Sequence, residues 1–120
     1  MNTKAEGKGA SEGVPPDPQN GIVNLMASIL GGLGGSALSA LPLNALPVEE
    51  IQGYRQVLLV VVDGLGMAPL KALSPEGILV RSLRSQMTSV FPSTTATAVT
   101  SLMTGLYPVE HGLTGWHMYF

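Results

Sequence analysis

The sequence predicts an α/β fold with a central parallel sheet flanked by helices, and three observations carry that reading. Six uninterrupted apolar residues, Val57 to Val62, lead into Asp63-Gly64, the pattern of a strand buried on both faces with a carboxylate at its C-terminal end. Downstream, Pro92 marks a turn, and the hydroxyls Ser93, Thr94 and Thr95 follow it. Ala96, Val99, Leu102 and Met103 then recur at helical spacing, so a helix is expected to start near Ser93 to Thr95. In open α/β sheets ligands bind beyond the C-terminal ends of the strands, where both Asp63 and the turn after Pro92 would lie.

Taken in order, residues 1–20 are rich in Gly, Pro and charge and read as a disordered tail. Residues 21–55 form an apolar lead-in. From Ile22 to Pro47 no charge occurs, and the length reaches that of a membrane span, but four glycines between Gly31 and Gly35 and the polar Asn24 weigh against one. The mixed-charge, Pro-Pro-containing start is unlike a secretory signal. The spacing predicts a short helix, Ile22 to Leu30, ended by Gly31-Gly32, and then a loop interrupted by Pro42 and Pro47. The expected compartment is the cytoplasm, with secretion or membrane association as alternatives.

Residues 56–120 carry the remaining structure. Gly64 allows a sharp exit from the strand, and Gly64 and Gly66 match neither G-x-G-x-x-G nor a P-loop. A helix is expected from about Ala68 to Leu73, then a turn over Ser74-Pro75-Glu76-Gly77. Leu79 to Leu83 and Met87 to Phe91 are further strand candidates.

Composition narrows the chemistry. A net charge of −2 with 12% charged residues offers no basic surface for nucleic acid. The absence of cysteine excludes disulfides, thiolate metal ligands and a thiol nucleophile, so any metal would take oxygen and imidazole ligands. Threonine is a poor nucleophile at neutral pH and needs a base or a metal beside it; no G-x-S-x-G elbow occurs, which favours a metal. Asp63 can alternatively cap the turn after its strand, and Ser93 or Thr94 can be a helix N-cap worth ~1 kcal/mol.

The strand ending in Asp63-Gly64, the segment Phe91-Pro92-Ser93-Thr94-Thr95, and Thr104-Gly105-Leu106-Tyr107-Pro108 followed by His111-Gly112 together resemble the alkaline phosphatase superfamily. Within it they are most similar to the type I phosphodiesterase/nucleotide pyrophosphatase group, over residues 56–116. The resemblance implies the N-terminal part of an alkaline-phosphatase-like catalytic domain, truncated at Phe120. It also implies a metal-dependent phosphodiester or phosphomonoester hydrolase acting on a small phosphate ester through a phosphothreonine, with two zinc ions in the complete enzyme. An ungapped count back from Thr104-Gly105 places the nucleophile on Thr95, with Thr94 as its rival. Asp63 and Thr95 would share one zinc, which sets their oxygens about 3 to 4.5 Å apart. His111 matches a turn histidine with a structural role, and His117 matches no motif. Trp116 stands where the family carries an asparagine on the phosphoryl oxygen, and its ring could instead line a leaving-group pocket. The further Asp and His ligands would lie beyond Phe120, so the 120-residue chain is expected to be inactive alone. The alternative is a non-catalytic remnant or a small membrane-associated protein using the segment from Ile22 to Leu46.

Overall fold

A computed structural model describes residues 14–36 and 39–119. Six helices occur among them: α1 (Ile22–Gly32), α2 (Val48–Ile51), α3 (Met67–Lys71), α4 (Ile78–Arg81), α5 (Thr95–Thr104) and α6 (Pro108–His111). The two long ones, α1 and α5, pack on each other, with α2 against α1 and α6 against α5. Their shared core holds Val23, Ala27, Ala40 and Val90, edged by Ile22, Ala98 and Tyr107.

Beside this apolar core, four further deeply buried side chains are small and polar. Asn24 and Ser28 on α1, and Thr97 and Ser101 on α5, are each one helical turn apart and buried. Every one of them is satisfied, which is what makes their burial tolerable. Asn24 accepts the Gly21 N–H at 2.9 Å, and its amide donates to the carbonyls of Pro18 at 3.1 Å and Leu41 at 2.9 Å. Ser28 accepts the Leu43 N–H at 2.7 Å, which ties the loop after α1 back onto that helix. Thr97 shares a 2.9 Å hydrogen bond with the Thr94 hydroxyl, and Ser101 lies 3.0 Å from His111 Nε2.

The expected helix over Ile22 to Leu30 is α1, which continues two residues further, to Gly32. Gly31-Gly32 lie inside the last turn because α2 crosses there: a Cβ on Gly32 would come within 2.3 Å of Ile51 Cβ. At 11 residues α1 is short, and no helix among the described residues is long and apolar enough to cross a membrane. Residues 1–13 of the expected tail lie outside the described residues. Its last part is engaged: Asp17 donates its N–H to Thr88 Oγ1 at 2.8 Å, and Asn20 exchanges contacts with Gln86 and Thr88. The polar side chains of Asp17 and Asn20 hold this stretch as a turn, with Gln19 N–H on Asp17 Oδ1 at 2.9 Å.

The expected strands behave differently from the helices. Val57 to Val62 has no regular secondary structure, pairs with no strand, and is between 38% and 88% exposed. A strand exists only through its ladder partners, and among the described residues the only β pairing is an isolated parallel bridge between Gly21 and Thr88. That bridge falls inside the Met87 to Phe91 candidate. The Leu79 to Leu83 candidate is corrected: Ile78–Arg81 is a helical turn, with Arg81 N–H on the Gly77 carbonyl and Ser82 N–H on Ile78, both at 3.0 Å. Without a neighbouring strand these N–H groups are satisfied locally. The helix expected from Ala68 to Leu73 is α3, which starts one residue earlier and ends two residues earlier, and the Ser74 to Gly77 turn closes with a 2.9 Å bond from Gly77 N–H to the Ser74 carbonyl.

Candidate functional site

The site forms where the loop after the apolar run meets the start of α5. Asp63 is followed by Gly64 at φ 78°, a left-handed conformation that glycine adopts without a Cβ penalty, and the chain turns there before α3. This turn leaves the Asp63 carboxylate exposed.

Across from it, α5 begins at Thr95. Thr94 is its N-cap in extended conformation, and its hydroxyl accepts the Thr97 N–H at 3.4 Å while bonding the Thr97 hydroxyl. The hydroxyl of Thr94 is therefore turned into the helix. Thr95 is exposed, and its hydroxyl donates to Asp63 Oδ2 at 3.1 Å. The two residues singled out in the sequence are thus brought together across 32 positions. The N–H groups of the first helical turn have no intrahelical acceptor and carry the positive end of the helix dipole, so an anion is favoured beside Thr95.

The other threonines of α5 serve the helix itself. Thr100 Oγ1 donates to the Ala96 carbonyl at 2.8 Å and Thr104 Oγ1 to the Thr100 carbonyl at 2.7 Å. His111 is structural by geometry: Nδ1 accepts the Leu113 N–H at 3.0 Å, which leaves the proton on Nε2 to be donated to Ser101. It fastens the chain after α6 to α5.

Thr95 also lines a mainly apolar groove of about 320 Å³, with Ala96, Val99 and Thr100 of α5 and with Leu113, Gly115 and Trp116. Of these only Trp116 stood out in the sequence. Val99 belonged to the apolar spacing that predicted the helix; in the structure Val99 and Met103 are exposed and the hydroxyls of Thr97 and Ser101 are buried. The available signal was the four-residue spacing of Thr97 and Ser101, matched by Asn24 and Ser28 on α1.

A carboxylate and a hydroxyl 3.1 Å apart are oxygen donors suited to a shared divalent cation. They are two where catalytic zinc takes three protein ligands, and no group of three His, Cys, Asp or Glu able to hold a metal occurs among the described residues. Asp63 and Thr95 therefore fit a cation as a partial ligand set.

No curated protein and no solved structure matches this chain. A family model described as type I phosphodiesterase / nucleotide pyrophosphatase matches residues 57–120. That span is more than half of the sequence and contains the Asp63 turn, the hydroxyls at the start of α5 and the segment through α6, and on it the chain belongs to the type I phosphodiesterase / nucleotide pyrophosphatase family.

Proposed function

We propose that this chain carries the nucleophile of a metal-dependent phosphodiester or phosphomonoester hydrolase, with Thr95 as the attacking group and a phosphothreonine as the intermediate. The observation that supports it most is the 3.1 Å hydrogen bond from the Thr95 hydroxyl to Asp63 at the N-terminus of α5, within the segment the family model matches. Asp63 and Thr95 would be the oxygen donors to a zinc ion. When bound, zinc would lower the pKa of the hydroxyl and offset negative charge on the phosphoryl group.

The residues present account for the rest. The Asp63 carboxylate fixes the direction of the Thr95 hydroxyl and receives its hydrogen bond, so the lone pairs of Oγ1 are left for phosphorus. The first turn of α5 supplies N–H donors to a non-bridging oxygen. In the transfer, the Thr95 hydroxyl gives up its proton along the hydrogen bond to Asp63 and on to solvent, the Oγ1–P bond forms and the ester P–O bond breaks, its electron pair leaving with the ester oxygen. Water then attacks the phosphothreonine, restoring the hydroxyl and releasing phosphate or its monoester. The Thr94 hydroxyl, committed to Thr97, is a poor competitor for this role.

The extended reading places Val57 to Val62 as a central strand of a parallel sheet. It is supported by the uninterrupted apolar run and by its exposure, which leaves a ladder edge and two apolar faces open to pairing. The substrate class is a small phosphate ester, and the compartment is assigned to the cytoplasm on the sequence arguments above.

The test is hydrolysis of bis(4-nitrophenyl) phosphate with and without zinc, by the 120-residue chain and by the longest reading frame containing it, followed by mass spectrometry for a 4-nitrophenylphosphoryl group on Thr95. Zinc-dependent turnover with that group on the peptide holding Thr95 is expected from the longer protein. No turnover and no zinc binding in either would establish the non-catalytic alternative.

A further inference from the structure

We propose that the 120-residue chain associates with a second copy of itself through the segment Arg55 to Asp63, the two segments pairing antiparallel about Leu59. The proposal concerns association of the chain and does not rest on the hydrolase reading.

Three observations make this segment the pairing surface. Among the described residues, no backbone N–H or carbonyl of Val57 to Val61 makes a hydrogen bond, and the Val62 carbonyl only accepts the Leu65 N–H at 3.3 Å in the turn that follows. A run in that state presents an open edge on which another strand can form a ladder. Its composition, Val-Leu-Leu-Val-Val-Val, favours strand pairing and lacks the charge, proline or glycine that blunts natural edges. Exposure also alternates over its first four residues, 38% at Val57, 88% at Leu58, 39% at Leu59 and 70% at Val60, the two-residue period of a strand. Apolar surface left open in this way favours association.

Charge at the two ends of the run selects both the occupant and its direction. Arg55 lies four residues before Leu59 and Asp63 four residues after it, and both are exposed. Antiparallel pairing with Leu59 opposite Leu59 of the second copy sets each Arg55 opposite Asp63 of the other chain, which gives two opposite-charge pairs across the ladder. Asp63 Oδ2 receives the Thr95 hydroxyl, and Oδ1 remains to accept from the guanidinium. Parallel pairing in register would instead set Arg55 against Arg55 and Asp63 against Asp63, which is destabilising. Slipping the antiparallel register by one residue would set Asp63 against Gln56 and lose both charge pairs. The favoured arrangement has a two-fold axis through Leu59 and uses the same surface on both chains.

The experiment is sedimentation equilibrium on the 120-residue chain, with circular dichroism to show that each variant keeps α1 and α5. The mass is expected to rise with concentration from monomer to dimer. Arg55→Glu turns both charge pairs into repulsions and should weaken dimerisation at least about tenfold, and Asp63→Lys should do the same. Mixing these two variants restores opposite charges at both ends, so the mixture should dimerise where neither variant does alone. Cysteine crosslinking reads the register, since the chain has no cysteine of its own. Antiparallel pairing about Leu59 sets residue 57 opposite residue 61, about 4.5 to 5.5 Å apart at Cα and within disulfide reach, while like positions lie about 13 Å apart. A mixture of Val57→Cys and Val61→Cys chains should therefore crosslink under mild oxidation, and neither chain should do so by itself. A monomer at every concentration, dimerisation unaffected by Arg55→Glu, a mixture of charge variants no better than its components, or crosslinking of each cysteine variant with itself would each overturn the proposal.

Discussion

The Thr95 hydroxyl donates to Asp63 Oδ2 at 3.1 Å, while its neighbour Thr94 turns its hydroxyl inward to cap α5. Adjacent threonines thus do different work because the N-cap residue is extended and the next is helical. The side chain of the first folds over the helix end and that of the second projects away from it.

Substitution separates the two roles. Thr95→Ala removes the proposed nucleophile and should lower phosphoryl transfer by at least about a thousandfold, with little change in thermal stability. Thr95→Ser should retain measurable turnover, because the hydroxyl survives. Thr94→Ala should keep activity and cost about 1–2 kcal/mol, from the lost cap and the unpartnered Thr97 hydroxyl. Steady-state kinetics and denaturant melts on the longest reading frame give both readouts; the reverse pattern would move the nucleophile to Thr94.

Replacing Asp63 by Asn keeps the shape and one acceptor oxygen but removes the charge. Zinc affinity measured by calorimetry should fall at least about tenfold, while the helical signal of α1 and α5 stays unchanged. Unaltered zinc binding would remove Asp63 from the ligand set.

Asn24 is the polar residue on which the α1 region depends. Its side chain makes three hydrogen bonds, to Gly21, Pro18 and Leu41, and it is buried. Asn24→Ala leaves those backbone groups unpaired and should cost about 2–4 kcal/mol in urea unfolding. Ser28→Ala should cost less, since the Leu43 N–H keeps a second acceptor in the Asn24 carbonyl at 3.1 Å.

The Arg84 guanidinium grips both carboxylate oxygens of Glu50, at 2.5 and 2.7 Å, and this hydrogen bonding holds the Glu50 pKa below its ordinary 4.5. Because the folded value is depressed, the contribution is present above the unfolded pKa and is lost as pH falls through the folded one. Both side chains are about half exposed, so salt should weaken the pair. Comparing Glu50→Gln with the parent protein, the stability difference should be small at neutral pH and shrink below about pH 4.5, and it should shrink further in 1 M salt. A difference that grows on acidification would contradict the depressed pKa.

Much of the local structure was legible because it depends on short-range chemistry. The helix after Pro92, the turn from Ser74 to Gly77, the glycine after Asp63 and the structural histidine at position 111 all follow from turn residues, caps and helical spacing. The strand status of Leu79 to Leu83 was misread because a short apolar run looks alike in strand and helix, and its outcome depends on whether a partner strand lies alongside. On α5 the apolar positions Val99 and Met103 are exposed and the hydroxyls of Thr97 and Ser101 are buried, each with a partner there: Thr97 on the Thr94 hydroxyl and Ser101 on His111.

By itself, the sequence determined the local chemistry: a carboxylate at the end of an apolar run, a hydroxyl at the start of a helix, and the motifs that place residues 57–120 in their family. Only the tertiary structure decided that the Thr95 hydroxyl reaches Asp63 while Thr94 does not, and that Trp116 and Val99 line one groove beside it. The physical reason is that motifs and caps act within a few residues of chain, whereas a hydrogen bond across 32 positions and the wall of a groove depend on how whole elements pack.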